Sequence, residues 1–182
     1  MIYCGLDMSI TSPGLTIIDG DSIEYYFRYD IPKRKKVDIP SSFHPYPTCD
    51  SKDDMYRYID NANWIMKCIN GREAAVVIEG YALGATGRVF NIAENCAVTK
   101  YVLHQAGIPI HIYGPGTIKK FATGNGVAKK GLMIHHFEKE TSMDLYKIFN
   151  KESASSPLSD IADSYFMAQF CKKLYNSQIS IS

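Results

Sequence analysis

Four acidic residues occupy positions where an ionised side chain is costly. Asp7 ends the apolar run 2–6, Glu79 ends the run 74–78, and Asp160 and Asp163 stand three residues apart at the head of a long apolar stretch. A carboxylate at the end of a buried strand carries a desolvation cost unless a cation or hydrogen-bond donors meet it. Four of them converging with no basic side chain in their midst would raise one another's pKa values and destabilise the fold. Divalent cations resolve that conflict. All-oxygen, carboxylate-rich ligation suits magnesium, with manganese as a substitute, and two such ions roughly 4 Å apart form the clamp used for in-line phosphodiester cleavage. The chemistry expected of such a set is hydrolysis without a covalent intermediate. Taken singly, two of the acids have plainer readings: Asp7 as an Asx residue closing its own turn, and Asp160 as an acid in the favourable field of a helix N-terminus. Asp163 lies deeper in the apolar stretch, where neither explanation applies.

The elements that must carry these residues follow from periodicity and turn chemistry. Residues 2–18 read as two strands joined by a short turn, and Asp19-Gly20-Asp21 leads into a third strand over 22–29, making an antiparallel meander. Residues 30–51 hold Pro32, Pro40, Pro45 and Pro47 with the basic run Lys33-Arg34-Lys35-Lys36. They read as an exposed, mobile loop whose charges could meet phosphates. Over 51–70, Met55, Ile59, Ala62, Ile65, Met66 and Ile69 recur at helical spacing, with Ser51 as cap, Gly71 past the end and Trp64 as a packing residue.

The run 74–78 is a buried central strand. A glycine-rich loop over 80–89 contains Tyr81 and Arg88 and precedes a helix over 90–105 and a strand over 108–113. A short helix over 117–122, an elbow at Gly124-Asn125-Gly126 and a helix over 129–140 follow. The last helix runs from near 157 to about 174 and is apolar nearly all round, so it is expected to be buried. The sum is a single α/β domain over 1–182 with a mixed five-stranded sheet, three antiparallel strands then two parallel, flanked by helices. The strands ending in Asp7 and Glu79 can lie side by side, with both acids at one edge. A last helix crossing that edge adds Asp160 and Asp163.

Composition sets outer bounds. With 182 residues, 46% hydrophobic and 21% charged, the chain can bury one core and is not a disordered or repeat protein. A net charge of +1 means that nucleic-acid binding must come from local basic patches. Five cysteines without a CxxC pair suit reduced thiols rather than disulfides or zinc. The histidines lack ligand spacing, and a phosphate loop of the GxxxxGK[ST] type is missing. No leader or membrane span is read from the sequence, and the expected location is cytoplasmic.

The segments GLDMS, IEG, KKFATGNGVAKK and SDIADS, in that order, resemble the RuvC family of Holliday-junction resolvases, particularly the small RuvC-like resolvases of bacteriophages. The resemblance implies a ribonuclease-H-like fold, a homodimer, and paired, magnesium-dependent nicking of four-way and other branched DNA, in the host cytoplasm if the gene is viral. By position, Asp7 matches the acid that bridges two metals, Glu79 the acid of the second strand, and Asp160 and Asp163 the pair on the last helix. Lys119 and Lys130, eleven residues apart, fall where the family keeps two lysines near the scissile phosphate, with Lys120 and Lys129 as adjacent alternatives.

Tyr81 stands one position ahead of the aromatic that stacks on an opened base in bacterial members, Phe90 is an alternative, and Arg88 shares the loop of Tyr81 as a DNA contact. The helix over 90–105 resembles the family's dimer helix, with Ile92, Ala93, Cys96, Ala97 and Val102 as candidate contacts. Three rivals stand beside the resolvase. One is a nuclease of the same fold acting on flap DNA or RNA–DNA hybrid, and another is a non-catalytic junction-binding protein. The third, an actin-like kinase or ATPase, needs two such lobes and far more chain.

Overall fold

The structure, a computed structural model, describes residues 1–31, 38–80 and 89–179. Its strands are β1 (Ile2–Asp7), β2 (Gly14–Asp19), β3 (Ser22–Arg28), β4 (Phe43–Tyr46), β5 (Ala74–Glu79) and β6 (Ile110–Tyr113). Its helices are α1 (Asp54–Ile69), α2 (Val89–Gln105), α3 (Pro115–Thr123), α4 (Lys130–Thr141), α5 (Leu145–Phe149) and α6 (Leu158–Ile179). The strands form one sheet in the order β4-β3-β2-β1-β5-β6. β1, β2 and β3 are the expected antiparallel meander, and β5 and β6 extend it in parallel from β1.

Period-two alternation divides the core between the two faces of the sheet. Ile2, Cys4 and Leu6 of β1 and Ala74, Val76 and Ile78 of β5 join Trp64, Ile65, Cys68 and Ile69 of α1 and Cys96 and Leu103 of α2 in one apolar cluster. On the other face Ala75 and Val77 pack with Ile161, Phe166, Met167 and Cys171 of α6 and with Met133, Ile134 and Phe137 of α4. α6 is buried nearly all round from Leu158 to Ala168, as its composition requires.

The sheet has six strands rather than five. β4 lies inside the segment read as a loop and pairs in parallel with β3, Tyr25 opposite Phe43 and Phe27 opposite Pro45. A strand containing proline is tolerated there because β4 is an edge strand, whose outer side needs no ladder donor. Its Phe43 is 4% exposed and stacks on Tyr25 at 4.6 Å between ring centroids, so aromatic burial holds the segment. The basic run Lys33 to Lys36 lies outside the described residues.

α1 differs in cap and in face. Asp53, not Ser51, is the N-cap, its carboxylate accepting from the Tyr56 amide, and the Ser51 hydroxyl accepts from the Asp53 amide upstream. The buried stripe is Tyr58, Asn61, Ala62, Ile65, Cys68 and Ile69, while Met55 and Ile59 are exposed. The stripe keeps i, i+3, i+4 spacing but lies one row round the helix from Met55 and Ile59. Trp64 packs in the core at 4% exposure. The last helix also runs five residues beyond its expected end.

Candidate active site

The same alternation that builds the core aims the first two acids. Asp7 has the parity of Tyr3 and Gly5, and Glu79 that of Ala75 and Val77, so both side chains leave the sheet on the face that α6 covers. The parallel register sets Leu6 beside Ile78, which makes Asp7 and Glu79 neighbours one step further on. Both stand at the carboxyl ends of parallel strands, the edge where open α/β sheets place their ligands.

Glycine lets α6 come close enough to deliver the other two. A Cβ on Gly5 would collide with the Ser164 carbonyl oxygen and the Ala168 amide, and one on Gly14 would lie 2.6 Å from the Asp160 carbonyl oxygen. Gly14 is the pairing partner of Asp7. Hence the backbone of α6 rests directly on β1 and β2, and its first turns stand over Asp7. A buried hydrogen bond of 2.9 Å between the Thr16 and Ser164 hydroxyls, and one from the Ser164 hydroxyl to the Ile161 carbonyl, fix the helix in this register.

Asp7, Glu79, Asp160 and Asp163 all line one cavity of about 400 Å³, together with Lys130. Met8, Ile92 and Cys96 supply an apolar side, and Ser9 and Ser156 supply hydroxyls. The Ser12 hydroxyl lies within hydrogen-bond distance of both serines, at 3.3 Å from Ser9 and 3.1 Å from Ser156, which ties the β1–β2 turn to the segment before α6. A second hollow of about 480 Å³, lined by Phe121, Gln169, Lys172 and Lys173, includes no carboxylate.

The electrostatics of the cavity follow from its burial. Burial, then the charges of Asp160, Asp163 and Glu79, hold the Asp7 carboxyl well above the usual range. Burial, then Glu79 and Asp160, push Asp163 up to about 7. Glu79 is raised by burial and drawn back by Lys119 and Lys130. These two lysines act on both Glu79 and Asp163, and Lys119 is half-buried on α3 while Lys120 is exposed. Lys129 is the N-cap of α4 and Lys130 its first residue. The Lys130 ammonium donates to the Ser159 hydroxyl at 3.4 Å, and that hydroxyl donates to Asp160 Oδ1 at 3.0 Å.

Among the described residues no group of three or more His, Cys, Asp or Glu is pre-assembled as a metal site. The donor set nevertheless fits a hard cation. Among the described residues Asp160 Oδ2 is buried with no hydrogen-bond partner; burial and then neighbouring carboxylates raise Asp7 and Asp163, burial raises Glu79, and the lysines only partly offset the rise.

Tyr81 and Arg88 lie outside the described residues, and Phe90 is 81% exposed at the start of α2. Of the residues read as dimer contacts, Cys96 is 3% exposed and packs inside the subunit, because it faces the sheet. The sequence reading did not single out Ser159, Ser9, Ser156 or the two glycines under α6. Nothing in their spacing marks them, since their roles arise only when α6 meets β1 and β2.

No protein-family model matches the chain. Among solved structures it is similar to RuvC of Thermus thermophilus, with a TM-score of 0.60 and 17% identity over 96% of this chain and 97% of that one. The chain has the RuvC fold. A second structure of Thermus thermophilus RuvC, in complex with a Holliday junction substrate, gives a TM-score of 0.62 and 15% identity over 96% of each chain. The ribonuclease-H-like fold class expected from the sequence is therefore the one observed, with one strand more than expected.

Proposed function

We propose that this protein is a structure-selective endodeoxyribonuclease that resolves four-way and other branched DNA junctions as a homodimer. The observation that carries the reading is the convergence of Asp7, Glu79, Asp160 and Asp163 on one cavity at the carboxyl edge of a RuvC-fold sheet. Those four residues would hold magnesium, with manganese able to substitute. Bound divalent ions supply Lewis acidity at the phosphodiester and lower the pKa of an attacking water. Lys119 and Lys130, whose charges reach Glu79 and Asp163, hold the scissile phosphate and offset charge growing on its oxygens. The apolar side of the cavity limits water around the acids and so strengthens every charge interaction within it.

Two nicks on opposite strands require two such sites, and α2 offers a surface for pairing them. Phe90, Ala97 and Tyr101 recur at helical spacing on its exposed side, with Phe90 81% and Tyr101 65% exposed. The domain spans the whole chain in this reading, since α6 supplies two acids to the sheet that begins at Ile2. Among the described residues no helix is long and apolar enough to cross a membrane.

The test offers purified protein a labelled four-way junction, a matched duplex, a flap and an RNA–DNA hybrid, with and without magnesium. Symmetric, magnesium-dependent nicks confined to the junction are expected. Cleavage of the hybrid or flap alone would replace the substrate, and junction binding without cleavage under any divalent ion would replace the enzyme with a binding protein.

A further inference from the structure

Ser159 stands one residue ahead of Asp160 on α6 and is 1% exposed. Its hydroxyl donates to Asp160 Oδ1 at 3.0 Å and accepts from the Lys130 ammonium at 3.4 Å. A serine hydroxyl has a single proton and two lone pairs, and an ammonium can only donate, so both bonds run one way, from lysine to hydroxyl to carboxylate. The lysine polarises the hydroxyl and strengthens its grip on Asp160. Adjacent residues on a helix do not ordinarily face each other, so this contact holds both side chains in chosen rotamers. One Asp160 oxygen is thereby committed to the protein. The other, Oδ2, is buried and has no partner among the described residues, in a residue that lines the cavity.

We infer that Ser159 is a positioning residue of the proposed cation site, orienting Asp160 so that Oδ2 is kept free for a divalent ion. The inference rests on reading the four carboxylates as a cation site, and it deepens that reading by naming the group that sets one ligand's geometry. Hydrogen bonds of this kind behind a ligating carboxylate typically change metal affinity about 10–100-fold when removed. Leu158, Ile161 and Ala162 on either side of this hydroxyl anchor the helix in the core.

The experiment titrates manganese into the full-length protein without DNA and follows water-proton relaxation, a readout of bound ion that requires no turnover. Ser159→Ala is expected to weaken manganese binding by about tenfold or more, while Ser159→Thr, which keeps the hydroxyl, restores affinity close to that of the unsubstituted protein. Far-UV circular dichroism establishes that each variant is folded. Should alanine fail that check, Ser159→Cys keeps the volume without a strong donor, and the same weakening is expected. Unchanged affinity in a folded Ser159→Ala or Ser159→Cys protein, with binding still lost in Asp7→Asn, overturns the role of Ser159 and leaves the cation site standing. If the unsubstituted protein takes up no manganese, or Asp7→Asn takes it up equally well, the cation site itself falls and the inference with it.

Discussion

Gly14 lies so close to Asp160 that a single added carbon would sit 2.6 Å from the Asp160 carbonyl oxygen and 3.3 Å from its Cβ. Because Gly14 is also the ladder partner of Asp7, the closeness of strand and helix at this point helps set how near Asp160 comes to Asp7. Gly14→Ala forces α6 away from the sheet. Overpacking of this kind costs about 1–3 kcal/mol, read as a lower urea midpoint, and activity should fall further than stability alone explains. An active variant of unchanged stability would show that the helix can move without disturbing the acids.

Asp163, Asp7 and Glu79 are all raised in the folded protein, so the folded state binds more protons than the unfolded one between the two sets of pKa values. Stability is then full below the unfolded value and falls as pH rises through the folded value. For Asp163 that window runs from the ordinary carboxyl value of 3.8 to about 7. The melting temperature of metal-free protein should therefore decline from pH 5 to pH 7.5, and millimolar magnesium should remove most of the decline by binding the ionised form. Asp7→Asn should raise the metal-free melting temperature at pH 7.5 while abolishing cleavage. A metal-free melting temperature that rises over this range would contradict the crowding of buried carboxylates.

Lys119 and Lys120 should separate cleanly. Lys119 is half-buried and its charge acts on Glu79 and Asp163, whereas neighbouring Lys120 is exposed. Lys119→Met should lower the single-turnover nicking rate on the order of 100-fold, the usual loss when one oxyanion donor is removed. Lys120→Met should weaken binding at most, and more so at low salt. Equal losses in the two variants would remove the distinction.

The Thr16–Ser164 hydrogen bond holds α6 at a buried point next to Asp163 and one turn beyond Asp160. The Ser164 hydroxyl also donates to the Ile161 carbonyl, so Thr16→Val leaves it one satisfied bond. The expected cost is about 1 kcal/mol in urea unfolding, with little change in cleavage at a temperature where the variant is folded.

Much of this site was legible before any coordinates. Asp7 and Glu79 each end an apolar run, which places both acids at one edge of the sheet; that both side chains leave by one face needs the register that sets Leu6 beside Ile78. The apolar girth of α6 announced a buried helix and so brought Asp160 and Asp163 inward. What stayed hidden depends on tertiary contact. β4 is held by Phe43 stacking on Tyr25, which no local signal in a proline-rich stretch reveals. The buried face of α1 is set by which row meets the sheet and α2, and two equally spaced rows were on offer. Gly5 and Gly14 read as ordinary turn and strand glycines until a helix backbone lies against them.

The most direct measurement is anomalous diffraction at the manganese edge from crystals soaked in manganese, comparing the unsubstituted protein with Asp7→Asn. The account expects two peaks roughly 4 Å apart among Asp7, Glu79, Asp160 and Asp163, both weakened or lost in Asp7→Asn. Crystals that take up manganese elsewhere, or leave these four carboxylates bare at saturating concentration, would contradict it.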